Sequence, residues 1–233
     1  MTNVRFSLII VYRELRNVGE KVKNDYNNVP MVVVKRLPRY YRYLGELLKQ
    51  GVSRVSSATL SEMMGLTASQ IRQDFNCFGG FGQQGYGYNV STLYAEIGEI
   101  LGLKNGNNVI IIGAGNMGRA LVNSTKLEKR GFYIVGIFDN NPDKVGTEIK
   151  GVTVSSDANL EEFCSKHHVD IAALSLPAAG VKEVADRLVK CGVKGLWNFS
   201  YTELSVPEDV AVENVHLSDS LMTLSYKIAQ NHV

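Results

Sequence analysis

The chain has 233 residues, of which 45% are hydrophobic and 21% charged, and its net charge is only +2. This composition excludes a disordered chain, and the length suits two small domains. Three widely spaced cysteines without a CxxC pair predict neither a disulfide framework nor a metal site. A reducing cytoplasm is the natural compartment for such cysteines, and since no apolar run is long enough to span a membrane we expect no membrane partner.

Charge is placed unevenly along the chain. Residues 1–30 carry no readable pattern, and we treat them as a leader outside the functional argument. Residues 31–78 then carry seven Lys or Arg against three Asp or Glu. A basic field of this kind suits a polyanionic partner, although an ordinary solvated basic face would carry the same charge.

Apolar spacing predicts three helices in this basic segment, at 38–48, 58–64 and 70–75. Gly65 separates the second helix from the third, for which Thr67 or Ser69 can provide the N-cap. A helix, a short turn and a second helix are typical of a helix-turn-helix. The aromatic and glycine residues of 78–88 predict a β-hairpin, the wing, and a linker helix at 91–104 follows.

The third helix carries the candidate DNA-reading face. Ile71 and Phe75 are spaced to face the core, which directs the polar residues between them outward. The side chains suited to base edges in the major groove are Gln70, Arg72, Gln73 and Asn76. Those placed to contact phosphates are Lys35, Arg54, Ser56 and Ser57. A winged helix that binds another protein is the alternative.

Strands and helices alternate in the second half of the chain, which predicts a parallel sheet covered by helices. The predicted strands lie at 109–112, 132–139, 171–176 and 195–199, and the helices start at 117, 159 and 181. We place this Rossmann domain at 105–214. A last helical stripe, within 215–233, has no strand to serve.

The strand at 109–112 runs directly into a GxGxxG motif that opens a helix. Gly113 permits a tight turn, Gly115 lets a pyrophosphate approach, and Gly118 allows close helix packing; Ala114, Asn116 and Met117 lie between them. Asp139, 21 residues beyond Gly118, ends the next strand, where it can accept hydrogen bonds from an adenosine ribose. The neighbouring Asn140 joins this predicted site for NADH or NAD⁺.

Later strands end in segments that reach the same crevice. We therefore add Pro177, Ala178 and Asn198 to the predicted dinucleotide contacts. A dehydrogenase would also need a substrate domain and a placed acid or base, for which only His216 is a candidate. Ligand binding without catalysis is the simpler interpretation. An NAD-dependent oxidoreductase with an accessory winged helix and a CoA-binding module are the alternatives.

These segments together closely resemble the Rex family of redox-sensing transcriptional repressors over nearly all of residues 36–228. The resemblance rests on RLP at 36–38 with YR at 41–42, VSS at 55–57, IRQDF at 71–75 with FG at 78–79, GYGY at 85–88, GAGNMG at 113–118 and KGLWNF at 194–199. It adds Arg36 and Arg42 to the predicted DNA-binding residues. It implies a repressor of palindromic operator DNA that NADH releases, and so responds to the NADH/NAD⁺ ratio.

The implied fold is an α/β Rossmann domain with a parallel sheet, preceded by an α+β winged-helix DNA-binding domain at 31–90. The resemblance also implies a homodimer in which the C-terminal helix at 215–233 is domain-swapped, with Leu217 reaching the partner's nicotinamide. Some positions depart from the family pattern. Gln73, Gln83 and Gln84 replace basic residues, and Ser124 and His216 replace a tyrosine and an aspartate, so operator preference and the switch contact are expected to differ.

Overall fold

The computed structural model describes residues 29–79, 82–83 and 86–230, and the chain divides into two compact units between Asn105 and Gly106. Nearly all of the predicted leader, residues 1–28, lies outside the described residues, as do parts of the predicted wing.

The N-terminal unit is built from short helices and a small sheet. Its helices are α1 (Met31–Val34), α2 (Leu37–Lys49), α3 (Ser57–Met64), α4 (Ala68–Asn76) and α5 (Val90–Ile100). Its strands are β1 (Arg54–Val55), β2 (Gly82–Gln83) and β3 (Gly87–Asn89). Both β1 and β2 pair antiparallel with β3, which gives the strand order β1-β3-β2.

Local sequence signals set the ends of the two helix-turn-helix helices. Ser56 accepts a hydrogen bond from the Thr59 amide at the start of α3, and Thr67 accepts one from the Gln70 amide at the start of α4. Gly65 ends α3 in the left-handed conformation, with φ of 62°. These caps fix the short turn between the helices.

One apolar core holds this unit together. Helices α2, α3, α4 and α5 all contribute side chains that are fully buried, among them Leu44, Leu60, Ile71 and Ile97. We expected a linker helix at 91–104. The structure gives a helix that begins at Val90, buries one face in this core and packs against α2.

The C-terminal unit is a seven-stranded sheet with helices between its strands. The strands are β4 (Asn107–Ile112), β5 (Phe132–Asp139), β6 (Glu148–Ile149), β7 (Val152–Ser156), β8 (Ile171–Leu174), β9 (Gly195–Asn198) and β10 (Ala211–Asn214). The helices are α6 (Asn116–Asn123), α7 (Thr125–Glu128), α8 (Leu160–Lys166), α9 (Val181–Lys190) and α10 (Leu217–Gln230), with a 3₁₀ turn at Asp157–Asn159.

The strand order is β10-β9-β8-β4-β5-β7-β6, parallel throughout except for the antiparallel edge pair β6–β7. The predicted Rossmann-type parallel sheet is therefore confirmed. The sequence prediction missed β6, β7 and β10 at the two edges. The buried strand β4 lies at the centre, as its run of Val109 and three isoleucines predicts.

Candidate functional site

The carboxyl ends of four parallel strands meet at one edge of the sheet. In the registers of the central strands, Ile112 pairs with Phe138 on one side and with Leu174 on the other, and Leu174 pairs with Asn198. This edge carries the glycine-rich turn after β4, Asp139 at the end of β5, and the loops after β8 and β9. In an open α/β sheet, this edge is where ligands bind.

The fold requires two of the three glycines of the turn, and the third leaves open space. Gly113 has φ of 99°, and a Cβ there would lie 2.5 Å from the Ser175 carbonyl oxygen. A Cβ at Gly118 would lie 1.9 Å from the Gly113 carbonyl oxygen, so helix α6 can pack on the turn only without a side chain. A Cβ at Gly115 would meet no described atom within 4 Å. The backbone at Gly115 therefore borders open space.

The first turn of α6 is open to an anion. Its N-cap residue is Gly115, and no side chain caps the helix. The first amide groups of a helix have no partner within the helix and carry partial positive charge. Asn116 is exposed and Met117 half-buried beside them. This end of α6 can therefore hold a phosphate group.

Asp139 is buried at the end of β5 and is held by three donors. The Asn141 amide donates to Oδ1 at 2.8 Å, and Oδ2 accepts from the Ala114 amide at 2.7 Å and from Lys144 Nζ at 3.0 Å. Burial alone would raise the pKa of Asp139, but these hydrogen bonds outweigh it and hold the pKa below its ordinary value. Since a carboxylate can accept about four hydrogen bonds, Oδ1 keeps capacity for a ribose hydroxyl.

The remaining predicted dinucleotide contacts divide into exposed and buried residues. Asn140, Pro177 and Ala178 are exposed in the loops that follow β5 and β8. Asn198 is completely buried, and both halves of its amide are occupied within the protein. Its nitrogen donates to Thr202 and Asn214, and its oxygen accepts from the Ser200 amide and hydroxyl, all at 2.8–3.0 Å.

This hydrogen bonding corrects the prediction for Asn198, because no donor or acceptor of its amide is left for a ligand. Asn198 instead shapes the loop after β9. His216, in turn, places Nε2 at 3.1 Å from the Ser200 carbonyl oxygen and stacks on Tyr201, with ring centroids 5.1 Å apart. The loop thereby holds the start of α10, where Leu217 is exposed.

The predicted base-reading side chains share the outer face of α4. Arg72, Gln73 and Asn76 are exposed and Gln70 is half-buried, whereas Ile71 and Phe75 are completely covered. Arg72 Nη1 lies 3.1 Å from Ser57 Oγ, so the structure brings a predicted base contact next to a predicted phosphate contact. The face is open and carries only polar groups.

Of the other predicted DNA contacts, Lys35, Arg42, Arg54 and Ser56 are exposed. Arg54 Nη1 donates to the Tyr86 carbonyl oxygen at 3.2 Å, at the base of the wing. Arg36 is placed differently from the prediction. Its Nε and Nη2 donate to the two carboxylate oxygens of Asp74 at 2.7 and 2.6 Å, so its guanidinium faces the protein.

Asp74, Tyr40 and Lys144 make these contacts but were not predicted from the sequence. A signal for Asp74 was present, because it stands next to Phe75 and three residues after Ile71, on the buried stripe of α4, where a carboxylate needs a partner. Lys144 lies five residues beyond Asp139 in a loop, and its spacing carries no recognisable pattern. Only the fold shows that it contacts the carboxylate.

The described residues contain neither a candidate membrane span nor a candidate metal cluster. No helix within residues 29–79, 82–83 and 86–230 has the length and apolar character needed to cross a membrane. In that same part of the chain, no three His, Cys, Asp or Glu side chains cluster so that they could hold a metal ion.

A winged helix-turn-helix in the same chain as a Rossmann unit defines a class of protein, the DNA-binding regulator that carries its own ligand domain. Residues 28–76 match the family described as "Putative DNA-binding protein N-terminus", and residues 104–202 match "CoA binding domain". The chain is 56% identical over 205 residues to the redox-sensing transcriptional repressor Rex of Caldanaerobacter subterraneus subsp. tengcongensis, which covers 88% of this chain and 92% of the relative.

Rex of Clostridium botulinum strain Hall is 54% identical over 198 residues, covering 85% of this chain and 94% of that protein. Among solved structures, RSP in complex with beta-NAD+ and operator DNA is similar with a TM-score of 0.83 and 54% identity, over 88% of this chain and 94% of RSP. RSP in complex with beta-NADH is similar with a TM-score of 0.81 and 51% identity, over 88% of this chain and 96% of RSP. The chain belongs to the Rex family of redox-sensing transcriptional repressors. The predicted family is confirmed, and with it a regulator rather than an enzyme.

Proposed function

We propose that this chain is a cytoplasmic redox-sensing repressor that binds palindromic operator DNA and is released by NADH, so that it responds to the NADH/NAD⁺ ratio. The observation that carries the proposal is the presence, in one chain, of an open polar face on α4 and a glycine cradle with an ionised carboxylate beside it. The RSP structures, solved with beta-NAD+ and operator DNA and with beta-NADH, support both halves of the proposal.

The residues of the C-terminal unit fit a dinucleotide. The amides of 115–118 would hold the pyrophosphate above Gly115, and Asp139 would accept a hydrogen bond from the adenosine ribose. Asn140, Pro177 and Ala178 would border the ligand from neighbouring loops. A buried carboxylate at this position disfavours the extra 2′-phosphate of NADP(H), because like charges repel.

The N-terminal unit would place α4 in the major groove. Arg72 suits a guanine edge, and Gln70, Gln73 and Asn76 suit adenine edges. Exposed Lys35, Arg42, Arg54 and Ser56, with half-buried Ser57, would contact phosphates, which position the protein without reading sequence. Operator affinity should therefore be strongly dependent on salt.

Helix α10 supports a swapped homodimer. It has no buried residue, and Leu217, Leu221, Leu224 and Ile228 form an apolar stripe that is 50–65% exposed in the single chain. A stripe of this kind at helical spacing needs a partner surface. A twofold partner that receives α10 would cover it and bring Leu217 to the partner's nicotinamide. Twofold symmetry also matches a palindromic operator.

Release by NADH requires that NADH bind a DNA-incompetent arrangement of the dimer better than a competent one. For a nearly complete switch, the free energy of NADH binding must differ by about 5 kcal/mol between the two arrangements. The uncharged reduced nicotinamide can be buried against Leu217, whereas the cationic ring of NAD⁺ resists the same desolvation. The charge of the ring therefore supplies a physical basis for the preference.

The decisive experiment is fluorescence-polarisation binding of the full chain to a pool of palindromic DNA, at stated salt, with no ligand, NAD⁺ or NADH. We expect specific binding that NADH abolishes and NAD⁺ leaves largely intact. Equal effects of NADH and NAD⁺ on operator affinity would refute redox sensing. Absence of any DNA binding would revive an oxidoreductase, which a turnover assay would then detect.

The match of residues 104–202 to a CoA-binding family makes CoA a second candidate ligand. The 3′-phosphate on the adenosine ribose of CoA would meet the same carboxylate, Asp139, which disfavours it. Competition between NADH and CoA, followed by NADH fluorescence, separates the two. Displacement of NADH by equimolar CoA would overturn the assignment of the ligand.

A further inference from the structure

The DNA-reading helix contains one carboxylate that points into the protein. The side chain of Asp74 is 3% exposed, although its neighbours Gln73 and Asn76 are exposed on the same helix. A buried carboxylate is costly unless charged or polar donors surround it. The partners of Asp74 therefore constrain how α4 sits on the core.

Those partners all come from one segment at the start of α2. Arg36 donates to both carboxylate oxygens, from Nε to Oδ2 at 2.7 Å and from Nη2 to Oδ1 at 2.6 Å, and the Tyr40 hydroxyl donates to Oδ2 at 2.7 Å. The hydrogen bond to Asp74 raises the pKa of Arg36, and burial followed by the same carboxylate raises the pKa of Tyr40. Arg36 therefore stays cationic and Tyr40 keeps its hydroxyl proton at neutral pH.

The same segment also contacts the first helix of the helix-turn-helix. Arg39 donates to the carbonyl oxygen of Met64, the last residue of α3. The ring of Tyr40 packs on Phe75 of α4, with centroids 4.9 Å apart. Residues 36–40 thus contact the C-terminal ends of both α3 and α4.

The geometry of these contacts is directional in a way that the apolar core is not. Burial of Ile71 and Phe75 holds α4 against the core, but apolar contact tolerates small rotations about the helix axis. A planar guanidinium paired to a planar carboxylate through two hydrogen bonds does not tolerate such rotations, because both bonds depend on the relative orientation of the two groups. With side-chain tips about 6 Å from the helix axis, a rotation of about 20° would move them by roughly 2 Å, enough to break a hydrogen bond to a base.

We propose that Arg36, Tyr40 and Asp74 are positioning residues for sequence recognition: they fix the rotation of α4 about its axis and so aim its polar face at the base edges. This inference rests on the proposed DNA-binding function. It assigns Arg36 a role in specificity without contact to DNA. Substitution of Arg36 should therefore leave non-specific affinity and its salt dependence unchanged, whereas loss of a phosphate contact would change both.

The principal test replaces the network by apolar groups of similar size, in the full chain, as Arg36→Met with Tyr40→Phe and Asp74→Leu. Apolar replacement of a buried ion pair is often neutral or stabilising, so the variant is expected to fold. Operator and non-specific DNA are titrated by fluorescence polarisation over a range of salt. We expect the ratio of operator to non-specific affinity to fall by roughly tenfold or more, with non-specific affinity and the salt slope unchanged.

Two results would overturn the proposal. An unchanged affinity ratio would mean that apolar packing alone aims α4. Equal weakening on both DNAs, with a salt slope reduced by about 0.9, would mean that Arg36 neutralises a phosphate. Lys35→Gln is the matched control, since Lys35 is exposed and is expected to show that second behaviour.

Milder variants decide the matter if the triple replacement does not fold. Tyr40→Phe removes one hydroxyl and keeps the packing on Phe75, and Arg36→Lys keeps the charge and loses the paired geometry. Each should lower the affinity ratio at a constant salt slope, and wild-type ratios in both would refute the role. Failure of the wild-type chain to bind any operator would refute the proposed function instead, so the two failures remain distinct.

Discussion

Replacing Gly115 by alanine should separate ligand binding from folding. Gly115 has φ of −78°, which alanine adopts without strain, and its added Cβ would meet no described atom within 4 Å. Fewer unfolded conformations favour the fold by about 0.4–1 kcal/mol, and the poorer capping by alanine at this N-cap position opposes this by a similar amount, so the Tm should stay within about 4 °C of the wild-type value. The new methyl group would occupy the space assigned to the pyrophosphate. Overpacking of about 1–3 kcal/mol corresponds to an NADH affinity about 5- to 150-fold weaker.

The assay is a titration of NADH fluorescence beside thermal unfolding of the ligand-free chain. Gly118→Ala is the contrasting variant, because its Cβ would lie 1.9 Å from the Gly113 carbonyl oxygen and should lower the Tm strongly. If Gly115→Ala binds NADH with wild-type affinity, the pyrophosphate does not pass over Gly115 and the proposed position of the ligand is wrong. A large loss of Tm in Gly115→Ala would refute the reasoning about open space.

Three further predictions concern charge, thiol reactivity and assembly. Although burial opposes it, hydrogen bonding lowers the folded-state pKa of Asp139. The contribution of Asp139 to stability is therefore complete above about pH 4 and is lost as the pH falls through the lower folded pKa, so Asp139→Asn should flatten the Tm profile below about pH 4. Burial, followed by the adjacent Cys191, raises the pKa of Cys164 to about 12, so maleimide should label exposed Cys77 first at neutral pH, as peptide mass spectrometry would show. Leu224→Glu places a charge on the apolar stripe of α10 and should give monomers in analytical ultracentrifugation, whereas Thr223→Glu, about 100° around the same helix, should leave the dimer intact.

Local signals in the sequence were sufficient for the elements that carry the site. The strand β4 and the glycine turn after it were predictable because each residue type there fits its local environment. The apolar residues of β4 are buried on both faces of the sheet, and Gly113 has a positive φ. Helix ends in the helix-turn-helix were predictable for the same reason, since Ser56 and Thr67 cap the residues that follow them directly.

Features that depend on residues far apart in sequence were not predictable. Strand β10 (Ala211–Asn214) is mostly exposed at a sheet edge and has no apolar run, so only its pairing with β9 makes it a strand. Arg36 and Asp74 are 38 residues apart, and a basic residue near a helix-turn-helix is easily assigned to DNA. Asn198 was misassigned because its position at a strand end suggested a ligand, whereas its partners lie in the loop beyond it and in β10.

The proposed ligand site also implies where the sensing of redox state must arise. Gly115 and Asp139 would contact the pyrophosphate and the adenosine ribose, which are identical in NADH and NAD⁺. Variants at these two positions should therefore weaken both ligands by the same factor. Leu217, expected at the nicotinamide, is the position where the two affinities should change unequally: Leu217→Ala should weaken NADH more than NAD⁺, because only the neutral ring gains from apolar burial. Calorimetric titration of NADH and NAD⁺ against both kinds of variant tests this. If the Gly115 variant changed the two affinities unequally and the Leu217 variant changed them equally, the nicotinamide would lie near Gly115 and the proposed orientation of the ligand would be reversed.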